Sequence, residues 1–526
     1  MALFVAVIGL GPRLLNVDGD LGRHLTIGRY ILQTLTIPTS DLFSHTMAGQ
    51  PVTPHEWLAQ VIYAVAYQSG GMNGVVFLCA LLIALTFTLC FRQCYQRSGM
   101  VLVSLGFAIL GAAAASLHWL ARPHLFTLLL VVLWVGELEQ IRKGSYSRWW
   151  LLAVLMIIWA NLHGAFIAGF VILGFYILGG LFTYLLGSQE YKPRSTFILL
   201  LAGVTSLLAS FINPSGLLLW STSLGYIRNR YLVGHTAEYL SPDFHNLSTM
   251  PFLIMIAISI LLFGFQAILE ASASEKEGKT FRKTSIVAIL LLASWTVMGL
   301  YSVRNIPIFV LIAAPILAEV SADILRHTPN FIQEKKDILD FPTSSTHPVV
   351  RNASVVSRIS GSFYQLDSRL STIESSLRGA LWPIIVIILV GLAFAGGARL
   401  DFVQHGNTFD PAVFPVEAVN WLQGHPQKGE VFNYFPWGGY LLYREWPTTK
   451  VFIDGQTDFY GEALTRQYEQ VLTLAEGWQD VLNQYHIEWV IMPSNSVLVK
   501  ALSLDPAWCL VYQDNTAQIL YYESSQ

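Results

Sequence analysis

The chain has 526 residues, of which 53% are hydrophobic and only 12% are charged, whereas about 25% of the residues in a soluble globular domain are charged. This composition is that of a polytopic membrane protein and excludes an ordinary soluble domain as the whole chain. A net charge of −3 without a basic tract also excludes nucleic acid as a partner, because a nucleic-acid-binding face is rich in clustered Lys and Arg. The four cysteines show neither a disulfide framework nor a zinc-binding spacing.

The N-terminal segment, MALFVAVIGLGPRLL, is apolar but shorter than the about 20 residues that cross a bilayer. We interpret it as a short or truncated first membrane helix. With the ten longer apolar runs that follow it, the sequence predicts about eleven spans. The ten runs are 74–91, 100–120, 124–138, 150–163, 165–187, 197–212, 251–268, 285–303, 306–324 and 381–398.

The distribution of basic residues predicts the orientation, because cytoplasmic loops hold an excess of Lys and Arg. With the N-terminus inside, the long outer loop 17–71 contains only Arg23 and Arg29, and the outer loop 213–250 only Arg228 and Arg230. An odd number of spans then places the C-terminal part of the chain outside.

Four parts follow from this topology. Residues 1–325 form a transmembrane domain with its first outer loop at 17–71, residues 326–378 a basic, Ser-rich linker on the cytoplasmic side, residues 379–399 the last transmembrane helix, and residues 400–526 an extracytoplasmic domain. The predicted fold class is therefore a polytopic α-helical membrane protein with a small C-terminal extracytoplasmic α/β domain. The linker is expected to lie on the inner membrane surface, with an amphipathic helix around 359–377.

In the C-terminal part, short apolar runs alternate with helical patterns, which indicates an α/β domain. Helices are predicted over 415–423, 460–474 and 478–485, and strands over 430–433, 450–454, 488–493, 508–513 and 517–523. The run KVFID at 450–454 is apolar up to its last residue, as in a strand covered on both faces.

The first outer loop has an unusual number of ionisable side chains next to a bilayer, where such groups are costly unless they are used or paired. Asp18 and Asp20 follow the first apolar segment, and a helix beginning at Asp20 would place His24 on the same face. A carboxylate here could remove a proton from an attacking hydroxyl or coordinate a divalent cation. The alternative is a helix N-cap, where Asp is favoured.

A second polar group, His55 and Glu56 followed by Trp57, lies in the same loop. It fits a binding site, and it equally fits the start of a helix that follows Pro54. Glu and Trp are also ordinary residues at a membrane interface.

Three later spans bring polar side chains to the same predicted membrane face: Arg122 with His124, His163, and Arg304. The planar guanidinium of Arg suits phosphate oxygens. Each of these residues alone fits an interfacial anchor or a helix-packing contact at least as well. Together, they indicate a site on the face where the two aspartates lie.

Several motifs give the chain a more specific resemblance. They are D-x-D-L-x-x-H-L-x-x-G-R at 18–29, I-P-x-x-D-x-F-S at 37–44, H-E-W-L at 55–58, F-P-W-G-G-Y-L at 435–441 and V-F-I-D-G-Q-T-D-F-Y at 451–460. With these motifs the chain resembles the multi-spanning glycosyltransferases of the GT-C class, especially uncharacterised bacterial members related to protein O-mannosyltransferases and aminoarabinose transferases.

The resemblance implies an inverting transfer from a polyprenyl-phosphate-linked sugar, with an acid of the first outer loop as the catalytic base. By position this base is Asp20 or Asp18, and Asp20 is preferred because a helix would hold it beside His24. The W-W-D-x-G segment of oligosaccharyltransferases is missing, since Trp437-Gly438-Gly439 contains no acid. Transfer of a single sugar is therefore preferred to transfer of a whole glycan.

The expected partners are the lipid-linked sugar, membrane lipids, and a glycan, lipid or protein acceptor, in the cell inner (plasma) membrane with the chemistry on its outer face. Arg122 and Arg304 would stabilise the departing phosphate, and a divalent metal, if one is bound, would lie on Asp18 and Asp20. The predicted substrate-binding residues are His24, His55, Glu56, Arg122, His124, His163 and Arg304.

Two other functions fit the composition. A non-catalytic scaffold would bind a partner through its outer α/β domain, and a transporter would need intramembrane acids, which are scarce. In the C-terminal part, Asp454 and Asp458 flank Gly455 and fit either a turn or a ligand site at a strand end. The segment Trp437 to Tyr440 could dock this domain or hold an acceptor.

Overall fold

The structure is a computed structural model that describes residues 2–187, 192–273, 285–338, 361–373 and 406–523, together with residues 376, 384, 385 and 388. The predicted last span at 379–399, apart from three of these single positions, and residues 339–360 of the predicted linker lie outside the described residues. A helix over 361–373, α15, falls within the predicted amphipathic segment.

The chain up to Ile338 is mostly helical, and its last helix extends into the predicted linker. Its helices are α1 (Ala2–Gly9), α2 (Gly11–Asn16), α3 (Asp20–Thr34), α4 (Trp57–Ser98), α5 (Val101–Ala115), α6 (His124–Lys143), α7 (Leu151–Leu162), α8 (Ile167–Leu185), α9 (Pro193–Ser210), α10 (Leu218–Arg228), α11 (Arg230–His235), α12 (Met250–Ala273), α13 (Ile286–Tyr301) and α14 (Ile306–Ile338).

Seven helical segments of the described chain are long and apolar enough to cross a membrane: α4, α6 and α9, two that contain α5 and α8, and two that contain most of α12 and of α14. Helices α7 and α13 are apolar but shorter. The protein is therefore a multi-pass membrane protein, and the count of about eleven spans stays a prediction.

The predicted outer loop 17–71 contains two helical stretches, and they begin where the sequence indicated possible helix starts, at Asp20 and after Pro54. Helix α3 begins at Asp20, and α4 begins at Trp57 and breaks at Gly70 and Gly71, where the φ of Gly71 is 59°. The polar residues of α3 face other parts of the chain instead of water, so α3 has buried residues on every side, Asp20 and His24 among them.

The C-terminal part contains helices α16 (Val416–Gly424), α17 (Gly438–Glu445), α18 (Thr457–Leu472), α19 (Trp478–Gln484) and α20 (Val497–Leu502), and strands β1 (Glu430–Asn433), β2 (Ile487–Pro493), β3 (Trp508–Gln513) and β4 (Ala517–Tyr522). The strands form one sheet in the order β1-β2-β4-β3. Strands β1 and β2 are parallel, whereas β4 is antiparallel to both of its neighbours.

Both faces of this sheet are covered. On β2, Val490 and Met492 point into a core shared with α18, α19 and α20, whereas Trp489 and Ile491 point into the large core that continues into the transmembrane helices. A strand with apolar residues on both faces is buried between two layers. The α/β prediction is thus confirmed, and the C-terminal part packs directly on the helical part.

Close backbone contact joins the two parts at α3 and α17. A Cβ on Gly22 would clash with the carbonyl oxygen of Gly439, and a Cβ on Gly439 with that of Gly19. The glycines therefore let the two helices approach closely. This contact gives the Gly438-Gly439 pair a docking role, one of the two roles expected for it.

The predicted strand at 450–454 is wrong. Val451 makes only an isolated parallel bridge with Ser44. The backbone of this segment forms hydrogen bonds with the side chain of Asn433 instead of with a neighbouring strand. Asn433 Oδ1 accepts a hydrogen bond from Phe452 N (2.8 Å), and Asn433 Nδ2 donates one to Ile453 O (2.9 Å). The expected burial of the run is nevertheless confirmed, since Val451, Phe452 and Ile453 have no exposed area.

Candidate active site

The two aspartates of the D-x-D motif lie at the start of α3. Asp18 accepts a hydrogen bond from Asp20 N at its Oδ1 (3.0 Å), so it does satisfy a free backbone amide of the first helical turn, as a capping residue would. Its other oxygen, Oδ2, lies 3.7 Å from Arg122 Nε. The Asp20 carboxylate forms a close ion pair with the same guanidinium.

Arg122 stands in the connection between α5 and α6 and pairs with a third acid, Glu238. Glu238 belongs to the second long loop, and its Oε2 also lies 3.9 Å from Arg304 NH1. Arg304 in turn donates a hydrogen bond to Tyr239 OH (2.7 Å). Three carboxylates and two guanidiniums thus form one continuous network of ion pairs.

A second cluster surrounds Glu56, the residue before α4. Its carboxylate lies 3.5 Å from Arg23 NH2, 3.9 Å from His24 Nδ1, 4.0 Å from His55 Nε2 and 3.8 Å from His163 Nε2. Because His163 is also 3.3 Å from Arg304 NH2, the two clusters are continuous.

The C-terminal part closes the site through residues 454–458. Arg23 donates a hydrogen bond to Gln456 Oε1 (3.0 Å) and lies 3.8 Å from Asp454. Asp458 lies 3.8 Å from His55 Nδ1. Gly455 lies against the Asp20 carboxylate so closely that a Cβ there would overlap with Asp20 Oδ1. Residues 454–456 form a bend before α18, Asp458 lies in the first turn of that helix, and a ligand site here stays a prediction.

Several of these groups have shifted pKa values. The side chain of Asp18 is 25% exposed, but its Oδ2 is enclosed, and removal from water raises the pKa of Asp18 to about 6 despite the nearby Arg122. Burial alone would raise the pKa of Glu238, yet Arg122 and Arg304 outweigh it and lower that pKa to about 2. Burial raises the pKa of Asp454 to about 6, with Arg23 only partly offsetting it.

Three buried polar atoms of this site have no hydrogen-bond partner: Asp18 Oδ2, Arg23 Nε and His24 Nδ1. Buried polar atoms are nearly always paired in folded proteins. Burial lowers the pKa of His24 well below its usual value, so its imidazole is neutral near pH 7. The cluster therefore combines close ion pairs with polar atoms that no other protein group satisfies.

The structure brings nearly all of the predicted site residues together. Asp18, Asp20 and Arg122 form one cluster. The second cluster contains Glu56 with His24, His55 and His163, and Arg304 links the two through His163 and Glu238. His124 differs, because its Nε2 lies 2.6 Å from the backbone carbonyl of His118. The reason for preferring Asp20 also fails, since Asp20 reaches Arg122 while His24 lies beside Glu56.

Glu238, Arg23 and Gln456 were missed. Glu238 could have been found, because it is an acid in the other long loop on the predicted face of Asp18 and Asp20, and the same argument from a shared face had selected Arg122 and Arg304. Arg23 had been counted only as a loop charge. Gln456 lies between Asp454 and Asp458 in the motif at 451–460, but its contact with Arg23 joins positions that are far apart in sequence, so the motif alone could not show it.

A metal does not fit the residues present. Among the described residues, no group of three or more His, Cys, Asp or Glu side chains is arranged to hold a metal ion. The Asp18 and Asp20 oxygens face the Arg122 guanidinium, which lies where a bridging cation would. We therefore derive no step through a metal.

No protein-family model matches the chain, and no curated protein matches it either. Solved structures do match. The archaeal oligosaccharyltransferase AglB from Archaeoglobus fulgidus, in complex with an inhibitory peptide and a dolichol-phosphate, aligns with a TM-score of 0.51 at 10% identity, over 99% of this chain and 74% of that one. ArnT from Cupriavidus metallidurans bound to undecaprenyl phosphate aligns with a TM-score of 0.48 at 13% identity, over 99% and 96%.

The fold is thus GT-C-like, and the resemblance expected from the sequence motifs is confirmed at the level of fold. An identity of 10% shows the fold alone.

Proposed function

We propose that this protein transfers a sugar from a polyprenyl-phosphate donor to a hydroxyl group of an acceptor. The observation behind this proposal is the convergence of Asp18, Asp20, Arg122 and Arg304 at one end of an apolar helical bundle, beneath the C-terminal part. Acids and phosphate-binding cations in one place are what such a displacement needs. The AglB structure with the same fold contains a dolichol-phosphate, which is consistent with a lipid-phosphate donor here.

In the proposed reaction, the acceptor oxygen attacks the anomeric carbon of the donor sugar from the side opposite the phosphate. The bond between this carbon and the phosphate oxygen breaks, and its electron pair stays on the phosphate. An aspartate takes the proton of the acceptor hydroxyl. Arg122 and Arg304 stabilise the negative charge that develops on the leaving phosphate. The configuration at the anomeric carbon is inverted.

Of the two aspartates, Asp18 is better suited than Asp20 to act as the base. A general base works best when its pKa lies near the working pH, and Asp18 has a pKa of about 6 and an oxygen without a hydrogen-bond partner. Asp20 is held by Arg122 and enclosed by Gly455. We assign Asp20 the role of fixing the guanidinium, while Asp18 accepts the proton.

We further propose that the site faces the outside of the cell inner membrane, with the C-terminal domain (400–526) extracytoplasmic. The opposite end of the bundle holds basic residues, among them Arg97 and Arg142 near the ends of α4 and α6, and Lys192 at the start of α9. Lys192 Nζ donates a hydrogen bond to the carbonyl of Lys143 (2.9 Å). An excess of Lys and Arg marks the cytoplasmic side of membrane proteins.

A transfer assay tests the proposal. Purified protein is incubated with polyprenyl-phosphate-linked radiolabelled sugars and with a membrane extract as the source of acceptors, and the label that leaves the lipid is counted. We expect transfer by the wild type and none by the double variant Asp18→Asn/Asp20→Asn. A folded double variant that transfers sugar at the wild-type rate would exclude this site. A wild-type protein that binds a component of the extract but transfers no sugar would favour a non-catalytic scaffold.

A further inference from the structure

The carboxylate of Glu238 lies between the two arginines that the proposed function gives to the donor phosphate. Its Oε1 pairs with Arg122 and its Oε2 lies 3.9 Å from Arg304. One anion that offers a different oxygen to each of two guanidiniums is bound as a phosphate would be bound. The side chains of Arg122 and Arg304 are 23% and 31% exposed, so neither is sealed off from a ligand.

We propose that Glu238 occupies the subsite of the donor phosphate and is displaced from it when the polyprenyl-phosphate donor binds. This inference rests on the proposed function. It assigns to Glu238 the role of a competing anion that sets the affinity of the site for lipid phosphate.

The balance of charge favours an exchange over simple addition. Asp18, Asp20 and Glu238 already place three carboxylates on two guanidiniums. A phosphate added to this group would be a fourth anion on the same two cations, and close like charges repel one another strongly where little water screens them. If the singly charged phosphodiester of the donor replaces Glu238, the charge of the cluster does not change.

The exchange needs only the side chain of Glu238 to move. Its backbone is anchored, because Ser302 Oγ donates a hydrogen bond to the Glu238 carbonyl (3.0 Å) and Val303 N donates one to the Leu240 carbonyl (3.0 Å). Its side chain is 23% exposed, so rotation toward water is open to it. The low pKa of Glu238, about 2, keeps it ionised and competitive at every physiological pH.

The same competition would help the product to leave. After transfer, the lipid phosphate becomes a monoester with a charge of about −1.5 to −2 at pH 7, which the two arginines hold more strongly than the donor. A tethered carboxylate that returns to the arginines opposes this stronger binding.

Binding of undecaprenyl phosphate to the purified full-length protein in detergent tests the inference. Glu238→Gln is isosteric and removes only the charge, so we expect binding about tenfold tighter or more. Arg304→Gln should weaken binding by a similar factor. Glu476→Gln changes the charge equally at an exposed position of the C-terminal part and should leave binding unchanged.

Undecaprenol, which lacks the phosphate, separates competition between charges from a general opening of the site. Competition predicts that Glu238→Gln gains affinity for the phosphate lipid only, and an equal gain for both lipids overturns the inference. If Arg304→Gln weakens phosphate binding while Glu238→Gln does not strengthen it, the inference fails and the proposed function stands. If neither the wild type nor any variant binds undecaprenyl phosphate more tightly than undecaprenol, both the inference and the proposed function fail.

Discussion

Helices α4, α6 and α14 have a cluster of charged side chains at each end, and the two clusters are built differently. At the end away from the C-terminal part, Arg97 lies 3.6 Å from both Glu139 and Glu319. Arg142 also holds Glu139 through two hydrogen bonds of 2.9 and 2.7 Å. We call this the inner cluster, and the group of Asp18, Asp20, Arg122, Glu238 and Arg304 the outer cluster.

The inner cluster combines two contacts within α6 with two that join α4 to α6 and to α14, and its charged side chains are paired. Arg142 and Lys143 lie three and four residues after Glu139 on one helix face. None of the charged side chains in this cluster has a buried atom without a hydrogen-bond partner in the described part of the chain. Such a network holds helices together.

The outer cluster joins segments that are far apart in sequence, and unpaired atoms remain in and beside it, such as Asp18 Oδ2 and His24 Nδ1. Natural proteins satisfy buried polar groups except where function requires otherwise. Both ends of the bundle thus hold buried charge, so buried charge alone does not identify a site in this protein. The outer cluster differs because a charged group within it, Asp18, keeps a carboxylate oxygen without a hydrogen-bond partner.

The largest expected effect separates the two outer acids. With Asp18 as the base, Asp18→Asn should lower the rate of sugar transfer by about 10²–10⁴-fold, with an unchanged unfolding midpoint. Asp20→Asn should lower it less and should weaken donor binding, because Arg122 loses its fixed position. The rates and donor KM values of the two variants check this, and an Asp18→Asn enzyme with normal rates would return the role to Asp20.

The inner cluster should respond in the opposite way. Arg97→Met leaves Glu139 and Glu319 with less compensating charge in a buried place, where breaking an ion pair costs about 3–5 kcal/mol. We expect a lower free energy of unfolding and, per folded molecule, an unchanged transfer rate. Denaturant unfolding and active-site-normalised rates measure the two quantities. A stable but inactive Arg97→Met protein would contradict the contrast between the clusters.

A smaller effect is expected where the C-terminal part touches the outer cluster. In Gly455→Ala the new methyl group would overlap with Asp20 Oδ1, and misplacement of a reacting group by about 1 Å costs about 10²-fold in rate. The matched control is Gly424→Ala, which meets nothing within 4 Å and should transfer sugar normally. Equal activity of the two variants would show that residues 454–458 do not position the acids.

The smallest effect is a dependence on pH. Asp18 has a pKa raised to about 6, and a base acts only when it is ionised. We therefore expect kcat/KM to be constant above pH 6 and to fall by about tenfold per pH unit below it. The profile is measured on protein shown to remain folded at each pH. A flat profile down to pH 5 would mean that Asp18 is not the base.

Much of the fold was predictable from the sequence. Long apolar runs predict membrane helices because of the thickness of the bilayer, and β1 and β3 were predicted to the residue from local patterns. The failure at 450–454 has a physical reason, since an apolar run has the same pattern whether its backbone pairs with a strand or with a side chain such as Asn433.

The candidate site was predictable as a set of residues but not as an arrangement. The assumption of a shared membrane face grouped Asp18, Asp20, Arg122 and Arg304, which do lie together in the structure, while their roles stay predictions. It could not show that Glu238 lies between the arginines or that Gly455 touches Asp20. Those contacts depend on how the second loop and the C-terminal part fold over the helices.

The most direct test of the central claim is an experimental structure of the protein with undecaprenyl phosphate bound. We predict that the phosphate lies within hydrogen-bonding distance of Arg122 and Arg304, with Glu238 turned away. The inner end also has a cavity, of about 380 Å³, lined by Arg92, Arg97 and Lys143. A phosphate bound there, with the ion pairs of the outer cluster unchanged, would contradict the account.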